Sequence, residues 1–128
     1  MNKILITFFT VIFCMTSSLG YSQTWEFLNK SSNGDIYYID ADRIRNIDGY
    51  ILYWALIDFK IKDDYGDFSE INYTKLDCKN FRYMYLSRTF YSLPNGKGKS
   101  TEDGTVNKWV YIKPNTKGER MIDYFCNG

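Results

Sequence analysis

The chain has 128 residues, of which 16 are Lys or Arg, 15 are Asp or Glu and none is His. This length fits a single domain. The charge is nearly balanced, whereas a nucleic-acid-binding domain would have a strong basic excess, so this class is not expected. The absence of histidine removes the commonest general base and the commonest metal ligand together. We therefore expect no metal and no cofactor, and we name no catalytic residue.

The N-terminal residues have the layout of a secretory signal peptide. Lys3 provides the positive start, residues 4–15 form an apolar run, and small residues follow as far as Ser22. The run is shorter than the roughly 20 residues of a membrane-spanning helix, and a buried N-terminal helix is the structural alternative. We predict a signal peptide at 1–22, no stable membrane span, and a mature domain at 23–128. The protein is therefore expected to be exported to the periplasm, the outer surface or the medium.

The chain contains three cysteines, and Cys14 lies inside the predicted signal peptide. Lipid attachment at Cys14 would require small residues just before it, where the chain has Ile12 and Phe13. Cys78 and Cys126 remain after export to an oxidising environment, where a lone pair usually forms a disulfide. Two free buried thiols are the alternative, since thiol catalysis would need an activating base and a structural zinc site four ligands. We expect a Cys78–Cys126 disulfide.

The first half of the mature chain predicts four strands. The apolar run at 25–28 and the segment DIYYID at 35–40 predict the first two. A short third strand within 41–49 enters a hairpin at an Asp-Gly turn. The segment YILYWALIDFK at 50–60 is apolar at both alternating positions, which predicts a central strand covered on both faces.

The second half predicts a long hairpin, a loop and a last strand. Residues 71–78 and 81–91 form the hairpin, whose register the sequence leaves open by one residue. Residues 94–108 are polar and rich in glycine, which predicts a loop that is long for a compact domain and is either functional or mobile. Residues 109–113 predict a final strand.

The C-terminal segment 114–127 predicts a helix. Met121, Ile122 and Phe125 fall on one helical stripe, so we expect them to face the sheet. The charged residues of the segment are expected to be solvated: Lys117, Glu119, Arg120 and Asp123. Because Cys126 lies at the end of this helix, its disulfide would join the helix to the sheet, and the predicted fold class is α+β.

Aromatic residues make up 19% of the chain, and 12 of them are tyrosines. Tyrosines that pair across strands and cover half-exposed sheet faces are the plain structural interpretation. A contact surface is the alternative, because Tyr and Trp are enriched at binding hot spots. The candidate contact tyrosines are Tyr37, Tyr38, Tyr83, Tyr85 and Tyr91. Our first hypothesis for a binding patch is Tyr91 with the basic residues Lys97 and Lys99.

Several residues and short motifs follow one another in a characteristic order along the mature chain. They are Trp25, YYID at 37–40, Ile44, Trp54, Asp77-Cys78, Arg82, Tyr91, Gly96, Gly98, Trp109, Ile112, Pro114, Gly118-Glu119 and Cys126. This ordered set, with its two cysteines, resembles the surface-adhesin protein E family of small exported bacterial domains. One departure is Arg43, at a position where the family usually has serine.

The resemblance implies a six-stranded antiparallel sheet with a C-terminal helix, and a binding role at a bacterial surface or in the periplasm. It carries over no catalytic or binding motif. We therefore predict a non-enzymatic exported binding module that adheres to host or envelope macromolecules, with a second copy of the chain as a further candidate partner. The alternative is a carrier that holds a small hydrophobic or planar ligand among the aromatics. A hydrolase with paired carboxylates is a third candidate.

Overall fold

The computed structural model describes residues 23–127, so the signal peptide predicted at 1–22 lies outside the described residues. Within the described range the chain forms eight strands and one α-helix, α1, at Lys117–Cys126. The strands are β1 Trp25–Lys30, β2 Ile36–Asp40, β3 Arg45–Ile47, β4 Tyr50–Asp58, β5 Ser69–Asp77, β6 Arg82–Leu93, β7 Lys97–Glu102 and β8 Val110–Tyr111. The α+β fold class is confirmed.

All the strands belong to one antiparallel sheet. Six of them run in the order β1-β2-β4-β5-β6-β7, while β3 pairs with β4 and β8 pairs with β6. The six-stranded sheet implied by the resemblance is this main path. The helix α1 covers one side of the sheet, which we call the helix face and define by its contacts with Met121 and Ile122. The opposite side, which carries Trp54 and Tyr73, is the open face.

The β3–β4 hairpin forms where the Asp-Gly turn predicted it. Ile47 pairs with Tyr50, so the loop consists of two residues. Asp48 and Gly49 both have positive φ, at 54° and 82°, which is the backbone that a twisted two-residue hairpin requires.

The prediction of a loop at 94–108 is wrong for the first half of this segment. Pro94–Gly96 makes a tight turn, and β7 then returns antiparallel to β6. All six residues of β7 are exposed, so this edge strand is held by backbone hydrogen bonds and shows no apolar alternation. Gly96 has φ 69°, and a Cβ there would lie 2.6 Å from Ile71 Cδ1. The strand predicted at 109–113 is also shorter than expected, since only Val110–Tyr111 pairs with β6.

The prediction that β4 is covered on both faces holds for the helix face and, on the other face, for Leu56, which is 2% exposed. Tyr53, Ala55 and Ile57 are buried on the helix face. Leu52 and Trp54, which point the other way, are only half-buried, because α1 lies on one side of the sheet.

A bulge settles the register that the sequence left open. Tyr73 pairs with Ser87 and Thr74 with Tyr85, so β6 contains one extra residue, Leu86. Without a bulge, Tyr85 and Arg88 would point to opposite faces, because side chains alternate along a strand. The bulge keeps both of them on the helix face.

The helix has the predicted phase. Met121 and Ile122 are buried, and Phe125 stacks on Tyr53 with ring centroids 4.4 Å apart. The helix begins at Lys117 rather than near Pro114. Four charged residues of the helix were expected in solvent. Arg120 and Asp123 are exposed, whereas Lys117 and Glu119 are half-buried.

The predicted disulfide is confirmed. The Sγ atoms of Cys78 and Cys126 are 2.08 Å apart. Cys78 directly follows β5, and Cys126 is the last residue of α1. The bond therefore attaches the C-terminal end of the helix to the centre of the sheet.

Candidate binding surface

The helix face encloses a cavity of about 30 Å³. Its lining includes Tyr37, Tyr53, Tyr83, Tyr85 and Met121. A pocket for a small molecule typically measures about 300–1,000 Å³. The tyrosines under α1 therefore pack against one another and leave room for about one water molecule.

Burial keeps these phenols neutral. It raises the pKa of Tyr85 to about 12 and raises the pKa of Tyr53 still further above its ordinary value. The same desolvation raises the pKa values of Tyr37 and Tyr83. At neutral pH the tyrosines of the helix face thus act as packing and hydrogen-bonding groups rather than as bases.

We expect the free energy of unfolding to decrease as the pH rises above 10. The unfolded chain releases its tyrosine protons near pH 10, at about the free pKa, whereas folded Tyr85 keeps its proton to about pH 12. The folded state then binds more protons than the unfolded state, so stability falls with pH by up to about 1.4 kcal/mol per pH unit for each such group. Urea unfolding between about pH 8 and 11 measures this slope.

Tyr85→Phe should make that slope shallower, because it removes one of the perturbed groups. Tyr65→Phe is the control, since its side chain is 92% exposed, and this variant should leave the slope unchanged. Identical slopes in wild-type protein and Tyr85→Phe would contradict the assignment.

A buried polar chain crosses the helix face along β5. Thr74 Oγ1 donates to Asn72 Oδ1 at 2.7 Å, and Asn72 Nδ2 donates to Glu70 Oε2 at 2.8 Å. The other carboxylate oxygen, Glu70 Oε1, accepts from an Arg88 NH2 group at 3.0 Å. Glu70 is 1% exposed, so Arg88 neutralises a fully buried charge. This network is structural, since both Glu70 oxygens are occupied.

Beyond Arg88 the helix face opens into an acidic groove of about 760 Å³. The carboxylates that line it are those of Asp35, Asp63, Asp64, Asp67, Glu70, Glu102 and Asp103. Its basic residues are Arg88, which pairs with Glu70 and Asp103, and Lys117. This end of the domain therefore carries negative charge.

The open face contains a second groove, of about 920 Å³. One wall is the aromatic pair of Trp54 and Tyr73, whose rings stack at 4.7 Å with an interplanar angle of 29°. The other wall is the segment where β2 ends and β3 begins. The groove is lined by Asp40, Asp42, Arg43, Ile44, Arg45, Trp54 and Tyr73.

The second wall is shaped by Asp40, the last residue of β2. Its Oδ1 accepts a hydrogen bond from the Asp42 backbone N–H at 3.3 Å, which caps the 3₁₀ turn Ala41–Arg43. Asp40 is 1% exposed, and its Oδ2 lies 3.5 Å from Arg43 Nε. Among the described residues Asp40 Oδ2 has no hydrogen-bond partner, so the ion pair with Arg43 compensates the buried carboxylate.

A second aromatic cluster lies beside this groove on the open face. The rings of Tyr50 and Trp109 are 5.9 Å apart. Lys75 Nζ lies 4.2 Å from the centre of the Tyr50 ring and 5.7 Å from that of Trp109. Arg82 Cζ lies 3.9 Å above the Trp109 ring, and Arg82 Nε donates to Asp77 Oδ2 at 2.8 Å. Cation–π contacts thus hold both cations against aromatic rings.

The open face carries four cations, and two of them are in ion pairs. Arg43 pairs with Asp40, and Arg82 pairs with Asp77. Within residues 23–127, no ion pair involves Arg45 or Lys75. The register pairs both of these residues with Leu52, from opposite sides of β4, which places their Cα atoms roughly 10 Å apart. The groove carries both signs, because the exposed carboxylate of Asp42 also lines it and takes part in no ion pair among residues 23–127.

The structure does not bring the five residues of the hypothesised surface together. Tyr83 and Tyr85 line the cavity under α1. Tyr91 is half-buried, and the register of β6 places it on the open face. Lys97 and Lys99 are exposed on β7, the neighbouring strand. Tyr91 and the two lysines therefore remain neighbours at one edge of the sheet.

The central residues of the open face were missed by the sequence analysis. Tyr37 and Tyr38 were considered, and they point to opposite faces: Tyr37 is buried in the core, and Tyr38 contacts the exposed Phe27 edge-on. Trp54 was taken as fully covered, and Tyr73 was not singled out. The sequence did contain a signal for this surface. Trp54 and Tyr73 alternate with the core residues along β4 and β5, so their side chains point to the opposite face.

Two further findings concern the described part of the chain. No group of three or more Cys, Asp or Glu residues among 23–127 is placed so as to hold a metal ion. No helix in this range is long and apolar enough to cross a membrane.

These features define a class of small α+β domain, in which one antiparallel sheet is covered on one face by a disulfide-bonded C-terminal helix. A family model described as surface-adhesin protein E matches residues 25–127. The chain belongs to the surface-adhesin protein E family, so the resemblance drawn from the landmarks is confirmed. Membership of this family indicates an exported or surface location, a macromolecular partner and a role as an adhesin rather than an enzyme.

Solved structures of protein E from Haemophilus influenzae have a similar fold. Crystal form II has a TM-score of 0.59 and 18% identity, covering 84% of this chain and 91% of that chain. The selenomethionine form has a TM-score of 0.60 and 16% identity, covering 84% and 94%. Protein E from a non-typeable strain has a TM-score of 0.54 and 18% identity, covering 85% and 79%. At these identities the likeness shows the fold alone. No curated protein sequence matches the chain.

Proposed function

We propose that the mature chain is a non-enzymatic exported binding module that holds a host or envelope macromolecule on the open face of its sheet. The observation that carries this proposal is the arrangement of two aromatic pairs around Lys75: Trp54 with Tyr73, and Tyr50 with Trp109. All five side chains are half-buried on a face that α1 leaves uncovered. Partly exposed Trp and Tyr side chains give a large contact area at low entropic cost.

The alternative, a carrier for a small hydrophobic or planar ligand, has less support. Such a ligand would lie among the core aromatics, where the cavity measures about 30 Å³. That volume is about an order of magnitude below that of a small-molecule pocket. A carrier would therefore require α1 to move away from the sheet, against its disulfide.

We extend the proposed surface to the edge of the sheet at Tyr91, with Lys97 and Lys99 on the adjacent strand. Tyr91 shares the open face with Trp54, and the lysines add positive charge at the rim. Tyr83 and Tyr85 are left out, because they face the helix.

The test is capture of host matrix proteins and of envelope extracts by immobilised, folded residues 23–128. The double variant Trp54→Ala/Tyr73→Ala should reduce capture at least about tenfold, which is the effect of losing central hot-spot side chains. Tyr91→Ala should reduce it by about fivefold if the edge contributes.

Tyr124→Ala is the matched control, because it removes a tyrosine that is 45% exposed on α1. This variant should capture as well as the wild-type protein. Equal capture by the wild type and the double variant, or no capture by the wild type, would refute the proposal. Circular dichroism establishes that each variant is folded.

A further inference from the structure

We propose that the ligand of the open face is an acidic polysaccharide, whose sugar rings stack on Trp54 and Tyr73 and whose carboxylate or sulfate groups contact Arg45 and Lys75. This inference rests on the proposed function, because it specifies the ligand class for the same surface. The observations that carry it are the stacked aromatic pair, the two cations without an ion pair, and their positions on one face.

Two cations of the open face are available to an anion. Arg43 and Arg82 are compensated by Asp40 and Asp77, so their positive charges are already balanced. Arg45 is exposed and Lys75 Nζ lies over two aromatic rings, and neither has a carboxylate partner in the part of the chain that the structure describes. An anionic group would therefore find two cations that lose no ion pair on binding. The acidic groove beyond Arg88 would repel the same ligand.

The aromatic pair favours a sugar. The face of an aromatic ring carries negative potential, and the axial C–H bonds of a pyranose ring carry slight positive charge, so the two surfaces attract each other. The groove beside Trp54 and Tyr73 has a volume of about 920 Å³, which is room for sugar rings. Lys75 follows Tyr73 by two residues on the same face, so the Cα atoms of the two residues are about 7 Å apart.

A sugar chain also fits better than an acidic peptide. Peptides that bind sheets usually add a strand to an exposed edge through main-chain hydrogen bonds. Trp54 and Tyr73 lie on β4 and β5, the two central strands, whereas the edges open to an added strand are β1 and β7. A ligand lying over this pair is held mainly by side chains, and the hydroxyl, carboxylate and sulfate groups of an acidic polysaccharide meet that condition.

The experiment measures binding of a heparin-derived hexasaccharide to folded residues 23–128 by titration calorimetry. We expect binding that weakens as salt is added. We expect the double variant Arg45→Gln/Lys75→Gln to weaken it about tenfold or more. Trp54→Ala should weaken binding to a similar extent. Trp54→Phe keeps an aromatic ring and is less disruptive to folding, so it should weaken binding less. Lys62→Gln is the control, because it removes an exposed positive charge from the loop between β4 and β5 and should change nothing.

Two comparison ligands decide between chemical classes. A neutral maltohexaose should bind at least about tenfold more weakly than the heparin fragment, because it lacks the anionic groups. Polyglutamate of similar charge should also bind more weakly, because it has no sugar ring; equal binding would overturn the inference in favour of an acidic peptide. No binding of the heparin fragment, with Trp54-dependent capture of proteins retained, would overturn this inference and leave the proposed function standing. Heparin binding that none of the open-face variants reduces would also overturn it.

Discussion

Replacing Cys78 or Cys126 by serine is expected to lower the free energy of unfolding by about 2–5 kcal/mol, the usual cost of removing a native disulfide from a small secreted domain. The bond joins residues 48 positions apart, and closing such a loop restricts the unfolded chain by about 4 kcal/mol in the chain-entropy model. The native state also loses an anchor, since α1 is the only helix covering the sheet among the described residues. Urea unfolding of residues 23–128 measures the loss.

Two further measurements on the wild-type protein test the role of the disulfide. Reduction of the wild-type protein should bring its stability close to that of the serine variants, because both remove the same bond. Thiol titration of the denatured, oxidised chain should find no free thiol. Two reactive thiols per chain, or serine variants as stable as the oxidised protein, would rule out a stabilising role.

Replacing Arg88 by methionine is expected to cost about 3–5 kcal/mol, because it leaves a buried carboxylate without its charge partner. Glu70 is 1% exposed and lies 3.0 Å from an Arg88 NH2 group. The guanidinium also lies 4.7 Å from the Tyr85 ring and 4.9 Å from the Phe90 ring. Methionine can keep much of this apolar contact, so the expected loss is mainly electrostatic.

The double variant Glu70→Gln/Arg88→Met should recover a large part of that loss. Its two neutral side chains remove the uncompensated charge, and replacing a buried ion pair by uncharged groups is often neutral or stabilising. The free-energy changes of the two single variants should therefore not add. Arg120→Met, at an exposed position on α1, is the control and should change stability little. A double variant less stable than Arg88→Met would refute this account.

The candidate site was only partly predictable. Tyr91 lies on a strand paired with the one that carries Lys97 and Lys99, because these residues are close in sequence and the intervening Pro-Asn-Gly segment turns the chain back. The central pair of Trp54 and Tyr73 was not identified. These residues are 19 positions apart, and their stacking depends on the pairing of β4 with β5, which no local pattern specifies.

Local sequence patterns were enough to predict the hairpin at Asp48-Gly49, the phase of α1 and the disulfide partners. Each of these depends on neighbouring residues, on helical spacing or on there being two cysteines in the exported chain. The faces that the side chains occupy depend instead on strand pairing and on the position of the helix. The bulge at Leu86 reverses the alternation of β6, and α1 covers one face of the sheet and leaves the other open. A one-residue change of register exchanges the two faces of a strand, so the exposure of an aromatic side chain depends on long-range pairing rather than on its own neighbours.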